Sequence, residues 1–438
     1  MGEHTVSTVH DEREILAFTQ ALLNDLRALE RLIGSGQFDS GPRRLGAEQE
    51  MFLVDATGRP LPCAPELLAH AADGRLTTEI GRFNLEANLT PRVIGNGCLR
   101  AMHAEVQDVV AAAQRAAISC GARVVLAGIL PTLRRSDLGL ANLSPNPRYA
   151  ELNQAALHLR GGAFHVHIDG PDPLELTHDN VMLEACCTSF QAHVQVTPAE
   201  FARFYNHAQL ITAPVLAAAA NSPVLLGHRL WDETRIALFQ SSVDERHAMR
   251  QQREHPPRVS FGDAWVEESV LEIFRDQVLR FRHIFTRAIE DDSLAALDRG
   301  EFPALSALKV HNGSVWRWNR ACFGLSDGRP HLRIELRALP AGPSIADEIA
   351  NVAFFLGLLY ALTNASSDQH PAMSFDDCRA NFFHAARHGL YALLEWPGAG
   401  RRMASELIDR ILLPMAAEGL RAAGISEGEA YLSIIRDR

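Results

Sequence analysis

The chain has no excess of positive charge, no paired-cysteine motif and no long apolar run. Its 53 acidic residues outnumber 42 basic ones, giving a net charge of −11 and a pI near 5.9. Nucleic acids and anionic membranes need a basic surface, so neither is an expected partner. The seven cysteines, with Cys186 and Cys187 adjacent, never fall at C-x-x-C spacing. That scatter fits reduced thiols in a cytoplasmic protein better than disulfides or a zinc site. The longest apolar stretches, "APVLAAAANSPVLLG" and "VAFFLGLLYAL", stop short of the ~20 residues a membrane span needs. The opening "MGEHTVSTVHDERE" lacks the basic and apolar regions of a secretory signal, and no polybasic patch follows its Met-Gly. No G-x-x-x-x-G-K-[ST] loop is present and no G-x-G-x-x-G follows a strand. A nucleotide, if bound, must be held by other means.

What is present is an ordinary globular composition, 47% apolar and 22% charged over 438 residues, with material for a large core. Residues 12–33 repeat apolar side chains at helical spacing, and helices are expected over 98–119, 199–219, 264–289, 344–364, 375–393 and 402–421. Strands are expected at 45–55, in two extended pieces of "RLTTEIGRFNLEANLTP", and at "RVVLAGILP", "AFHVHIDG", "TSFQAHVQV" and "PHLRIELRALP". The charged stretch 240–263 reads as a mobile surface loop. This order favours an α+β fold with a largely antiparallel sheet. No composition break marks a boundary, so one domain over 1–438 is expected. It would comprise a helical segment 11–34, a sheet-rich core 43–198 and 305–340, and a helical remainder 199–304 and 341–438.

The stretch "LGAEQEMFLVD" carries the first chemical signal. Side chains alternate along a strand, so Glu48 and Glu50 share one face of an otherwise apolar segment, with Gln49 opposite. Two neighbouring carboxylates repel each other and resist desolvation, which calls for a cation. Glu79, Glu86, His193 and Glu335 are likewise set among apolar strand residues. Singly, each is explained by a solvated strand face. Converging, acids with one imidazole suit Mg²⁺ or Mn²⁺. Arg333 and Arg337 flank Glu335 at two-residue spacing, either as an ion-pair ladder or as a fork for phosphate oxygens. His165 and His167 share a strand face near Asp169 and could hold a transition metal, or simply mark a half-exposed strand. Ser344 and Asp347 form a helix start.

The segments "GAEQEMFLVD", "LTTEIGRFNLEANLTP", "TSFQAHVQV", "VHNGSVWRWNR" and "LRIELRALP", in that order, resemble the glutamate–cysteine ligase family, carboxylate–amine ligases of the glutamine synthetase superfamily. The resemblance spans residue 43 to the helix beginning near Ser344. It implies a single catalytic domain whose antiparallel sheet forms a funnel-shaped site backed by helices. It implies that ATP phosphorylates a carboxylate, glutamate being one candidate, and that an amine or amino acid attacks the acyl phosphate. By position, Glu48, Glu50, Glu79, Glu86, His193 and Glu335 match metal ligands. Gln191 lies beside a nucleotide-side or substrate contact, Arg337 matches the arginine facing the transferred phosphate, and Arg333, from its place beside Glu335, is a further nucleotide or substrate candidate. His165 competes with His193 for the imidazole role. A water-sensitive acyl phosphate needs a mobile cover, for which 240–263 is a candidate. Two other readings stay open: a metal-dependent hydrolase using His165, His167 and His193, and a non-catalytic nucleotide- or amino-acid-binding relative. Helix-rich faces such as 344–364 leave room for a homodimer.

Overall fold

The computed structural model describes residues 7–8, 12–244, 246, 256–286, 289, 291–365, 368 and 370–438. Its centre is a curled, antiparallel sheet built around β1 (Arg44–Val54), the strand that carries Glu48 and Glu50. On one edge of β1 lie β3 (Asn84–Asn88), β2 (Leu76–Thr78) beyond it, and the short β4 (Arg92–Val93). On the other edge lie β6 (Phe190–Val196) and, further along β1, β5 (Arg123–Val125). The sheet continues through β8 (Arg329–Leu336) to β7 (Asn319–Ser326). Every pairing is antiparallel, as the strand order predicts.

Helices back this sheet. α1 (Glu12–Ser35) and α2 (Cys98–Ile118) each bury one apolar stripe. α4 (Ile345–Ala365) is apolar on all sides because α3 (Phe201–Ala219), α5 (Leu413–Ala422) and α6 (Gly428–Asp437) surround it. It is long and apolar enough to cross a membrane, yet 72% of its most apolar window is buried inside the fold. α4 and α5 cross at glycine. A Cβ at Gly419 would lie 2.7 Å from the Ala361 nitrogen and closer still to the Gly357 oxygen. Only hydrogen permits that approach.

Several expected elements are shorter than their hydrophobic pattern suggests. The helix expected over 264–289 runs only Val270–Arg280, opened by a Ser269–Glu272 capping box. The helix expected over 375–393 stops at His388, where Gly389 takes φ +50, and Leu393–Trp396 pairs with Gly400–Met403. That pairing also claims the start of the helix expected over 402–421, which is then interrupted by a wide turn at Ile408–Leu412. Pro414 follows that turn and has no N–H to give the preceding one. The strand at "RVVLAGILP" covers only Arg123–Val125. Of the stretch 240–263, residues 245 and 247–255 lie outside the described residues. Its ends are ordered, residues 240–242 closing the helix Arg235–Ser242 and Val259–Ser260 pairing in parallel with Trp316–Arg317.

Replacing Gly419 by Ala should lower stability by roughly 2 kcal/mol or more through overpacking at this crossing. Gly34→Ala, on an exposed turn of α1 with nothing within 4 Å of the new Cβ, should be neutral or stabilising. Urea unfolding midpoints check both, and equal midpoints would remove the crossing argument.

Candidate active site

Residues directly opposite one another in paired strands face the same way. The register therefore lines up three rows of side chains. One row runs Arg320, Glu335, His193 and Gly46 across β7, β8, β6 and β1. The next holds Gln191, Glu48 and Asn88, with Arg337 just past the end of β8 joining it through Gln191. The third sets Glu50 against Glu86, and Glu86 against Thr77 on β2. Glu79 follows β2 in the turn rather than on the strand.

Six of the acids and imidazoles singled out from the sequence gather here, and they form two groups. Among the described residues, Glu48, His193 and Glu335 bring one ligand atom each within 4.8 Å of the others, and so do Glu50, Glu79 and Glu86. Gln191 links the groups: its Nε2 donates to Glu50 Oε1 at 2.9 Å, and its Oε1 accepts from Arg337 Nη1 at 3.0 Å. Arg337 Nη1 also contacts Glu335 Oε1 at 2.6 Å, while Arg320 Nη2 reaches Glu335 Oε2 at 3.0 Å. Glu335 is buried, yet the two guanidiniums outweigh its desolvation and hold its carboxyl well below the usual range.

The first group fits a divalent cation on chemical grounds. Burial is the largest influence on His193 and depresses its pKa to about 4 against the pull of Glu48 and Glu335, so the imidazole is neutral. Its Nε2 is buried with no hydrogen-bond partner among the described residues, 3.6 Å from Glu48 Oε1 and 3.7 Å from Glu335 Oε2. A neutral ring nitrogen between two carboxylates makes no ion pair, but it offers a lone pair to a metal. The second group is all oxygen, the donor set of a hard cation. Burial first, then the charges of Glu48 and Glu50, push Glu86 up to about 7. Burial, then Glu50 and Glu86, raise Glu79 well above the usual value. Glu50 is raised by burial too, although Arg337 and the Ser189 and Gln191 donors oppose it.

Arg333 stands one row further along, opposite Gln195 and Cys322, its buried Nε without a hydrogen-bond partner among the described residues. His165 and His167 do not join the site. They project from the exposed face of a separate hairpin, Phe164–Ile168 with Leu174–His178, bonded to Thr177 and Asp169. The set His165, His167 and His193 is therefore divided between two sheets.

Sequence reading missed Arg320, Cys322 and Glu184. The first two were legible in principle. Asp327-Gly328 makes a two-residue turn pairing Ser326 with Arg329, and counting back six residues on each strand sets Arg320 opposite Glu335. Glu184 sits in the 3-10 turn Val181–Cys186, which carries no periodic signal. Its buried Oε2 has no hydrogen-bond partner among the described residues. Burial chiefly raises its pKa to about 7, with Arg337 opposing and Glu50 reinforcing.

Residues 44–438 match glutamate–cysteine ligase family 2. A putative glutamate–cysteine ligase 2-2 of Saccharopolyspora erythraea is 26% identical over 381 residues, 84% of this chain and 78% of that protein. The glutamate–cysteine ligase of Francisella tularensis, solved in complex with AMP, superposes with a TM-score of 0.58. The superposition covers 92% of this chain and 82% of that one at 10% identity, which shows a shared fold.

The raised acids have a thermodynamic consequence. Folded, Glu79, Glu86 and Glu184 hold protons that the unfolded chain releases near 4.5. For Glu86 and Glu184 this contribution to stability is fully present below about pH 4.5 and is lost as pH rises through their folded values near 7, and Glu79, raised well above the usual value, acts in the same direction. With EDTA present, the part of the Tm profile set by these groups should fall from about pH 6 to pH 8, and Mg²⁺ or Mn²⁺ should restore more at the higher pH, because the cation replaces protons. A cation effect larger at the lower pH would contradict this.

Proposed function

The chain belongs to glutamate–cysteine ligase family 2, and from that membership we propose that it is an ATP-dependent ligase joining a small carboxylate to an amine. The observation that carries this reading is the pair of ligand groups on one sheet face, linked through Gln191 and Arg337. Such a face suits phosphoryl transfer, where catalysis is mostly positioning and charge stabilisation. Glu48, His193 and Glu335 would hold one Mg²⁺ or Mn²⁺, and Glu50, Glu79 and Glu86 another. Bound there, the cations would neutralise phosphate charge.

In this reading a carboxylate oxygen of the substrate attacks the γ-phosphorus of ATP. The bond to the bridging oxygen breaks, ADP leaves, and an acyl phosphate forms. The amine nitrogen then attacks the acyl carbon, inorganic phosphate departs, and the nitrogen loses its proton. Arg337 lies beside Glu335 with its charge also reaching Glu50, so it is placed to stabilise the phosphoryl group in transfer. Arg333 would contact nucleotide or substrate, and Gln191 would keep Arg337 and Glu50 in register. Glutamate is one candidate carboxylate, and cysteine, another amino acid or a simple amine the acceptor. One catalytic domain and a cytoplasmic location complete the proposal, with a homodimer formed through a face other than α4, which is buried within the fold.

ADP release should require both a carboxylate substrate and an amine, and a panel of amino acids and amines will identify the pair. ADP formed with water alone as acceptor would instead support a hydrolase. Arg337→Lys keeps the charge but loses the planar fork, so kcat should drop ~10²-fold or more with a smaller change in the KM for ATP. A kcat within about threefold of wild type, corrected for folded fraction, would return Arg337 to a structural role.

A further inference from the structure

Behind the acid-bearing face, a second set of buried polar groups has no part in the reaction outlined above. Gln49 points to the opposite side of β1 from Glu48 and Glu50 and is fully buried. Its Nε2 donates to Glu348 Oε1 at 3.0 Å and to the carbonyl oxygen of Glu50 at 2.8 Å. Glu348, fully buried in the first turn of α4, also accepts the Gly342 N–H at 2.6 Å. The segment before Gly342 is tied to the start of β6, with Phe190 N donating to Leu339 O at 3.1 Å and Ala341 N to Thr188 O at 3.2 Å. Ser189, between those anchors, donates its N–H to Glu50 Oε2 at 2.7 Å, while Glu50 N donates to Ser189 O at 2.9 Å.

Two hydrogen-bonded routes therefore leave Glu348 and end on the same residue. One holds the main chain of Glu50 and the other its carboxylate. Packing does not account for this arrangement, because an apolar side chain in the first turn of an apolar helix would avoid the cost of burying an acid. Glu335, in the other ligand group, is held instead by Arg320 and Arg337 from the front.

We propose that Glu348, acting through Gln49, is a positioning residue that aims Glu50 at a divalent cation in the Glu50–Glu79–Glu86 group. The inference rests on the metal-dependent reading above and assigns one ligand group its own support. Burial pushes the Glu348 carboxyl up to about 8, so at neutral pH it is mostly a neutral acid. A glutamine reproduces that neutral group and keeps an oxygen for Gln49 and Gly342, whereas alanine removes it.

The test is a Mn²⁺ titration of the full chain followed by electron paramagnetic resonance, which counts ions without requiring turnover. Wild type should bind two ions. Glu348→Ala should weaken one site ~10-fold or more and leave the other nearly unchanged, the size of effect seen when outer partners of ligands are lost. Gln49→Leu should do the same, and Glu348→Gln should stay within about threefold of wild type. Should Glu348→Ala fail to fold, the other two variants decide. Two unchanged sites, equal weakening of both, or a glutamine variant as damaged as the leucine one would overturn the inference. Fewer than two ions on wild type would instead overturn the metal reading itself, and this inference with it.

Discussion

Mutual repulsion among carboxylates on one face of a buried sheet is the constraint on which the rest of this structure depends. Desolvation and neighbouring negative charge both oppose ionisation: they act together on Glu79 and Glu86, while burial raises Glu50. Protons can relieve the repulsion, and so can cations. The protein answers it differently in its two ligand groups. Glu335 is compensated by Arg320 and Arg337 and lies well below the usual range, while Glu50, despite Arg337, and Glu79 and Glu86 beside it have raised pKa values. In the proposed reading, the second group is where a divalent cation would relieve the most repulsion.

Holding repelling groups within a few ångströms of one another needs a rigid frame. The frame here is a central strand paired on both edges, so that a shift of one residue along it would turn Glu48 and Glu50 to the opposite face. Behind it, α4 is buried on all sides and clasped by α5 through a glycine crossing. The first turn of α4 is also where Glu348 meets β1. Packing energy far from the chemistry is in this way transmitted to ligand geometry through a small number of buried hydrogen bonds.

The family relationship and the local geometry support each other without duplicating each other. Membership in glutamate–cysteine ligase family 2 speaks to the reaction class. The distances speak to which residues of this chain can act together. His193, with an unpartnered nitrogen between two carboxylates, is a clearer ligand candidate than His165, which is exposed and bonded to Thr177 on a hairpin outside the main sheet.

Much of the site was legible in the residue order. Alternation alone sets Glu48 with Glu50 and Arg333 with Glu335 and Arg337, because a strand's two-residue period is a local property of the backbone. The order of strands and helices pointed to the antiparallel sheet, and the Asp327-Gly328 turn would have set the Arg320–Glu335 pairing. Helix ends were less legible, since a capping box at Ser269 and a glycine at 389 overrule a hydrophobic period that continues past them. Glu184, the division of the acids into two groups and the exclusion of His165 came only with the tertiary structure. These depend on which strands become neighbours, a matter of long-range packing that no local period encodes. The Glu348–Gln49–Glu50 link belongs there too, because it joins residues 299 positions apart through a contact only the folded core creates.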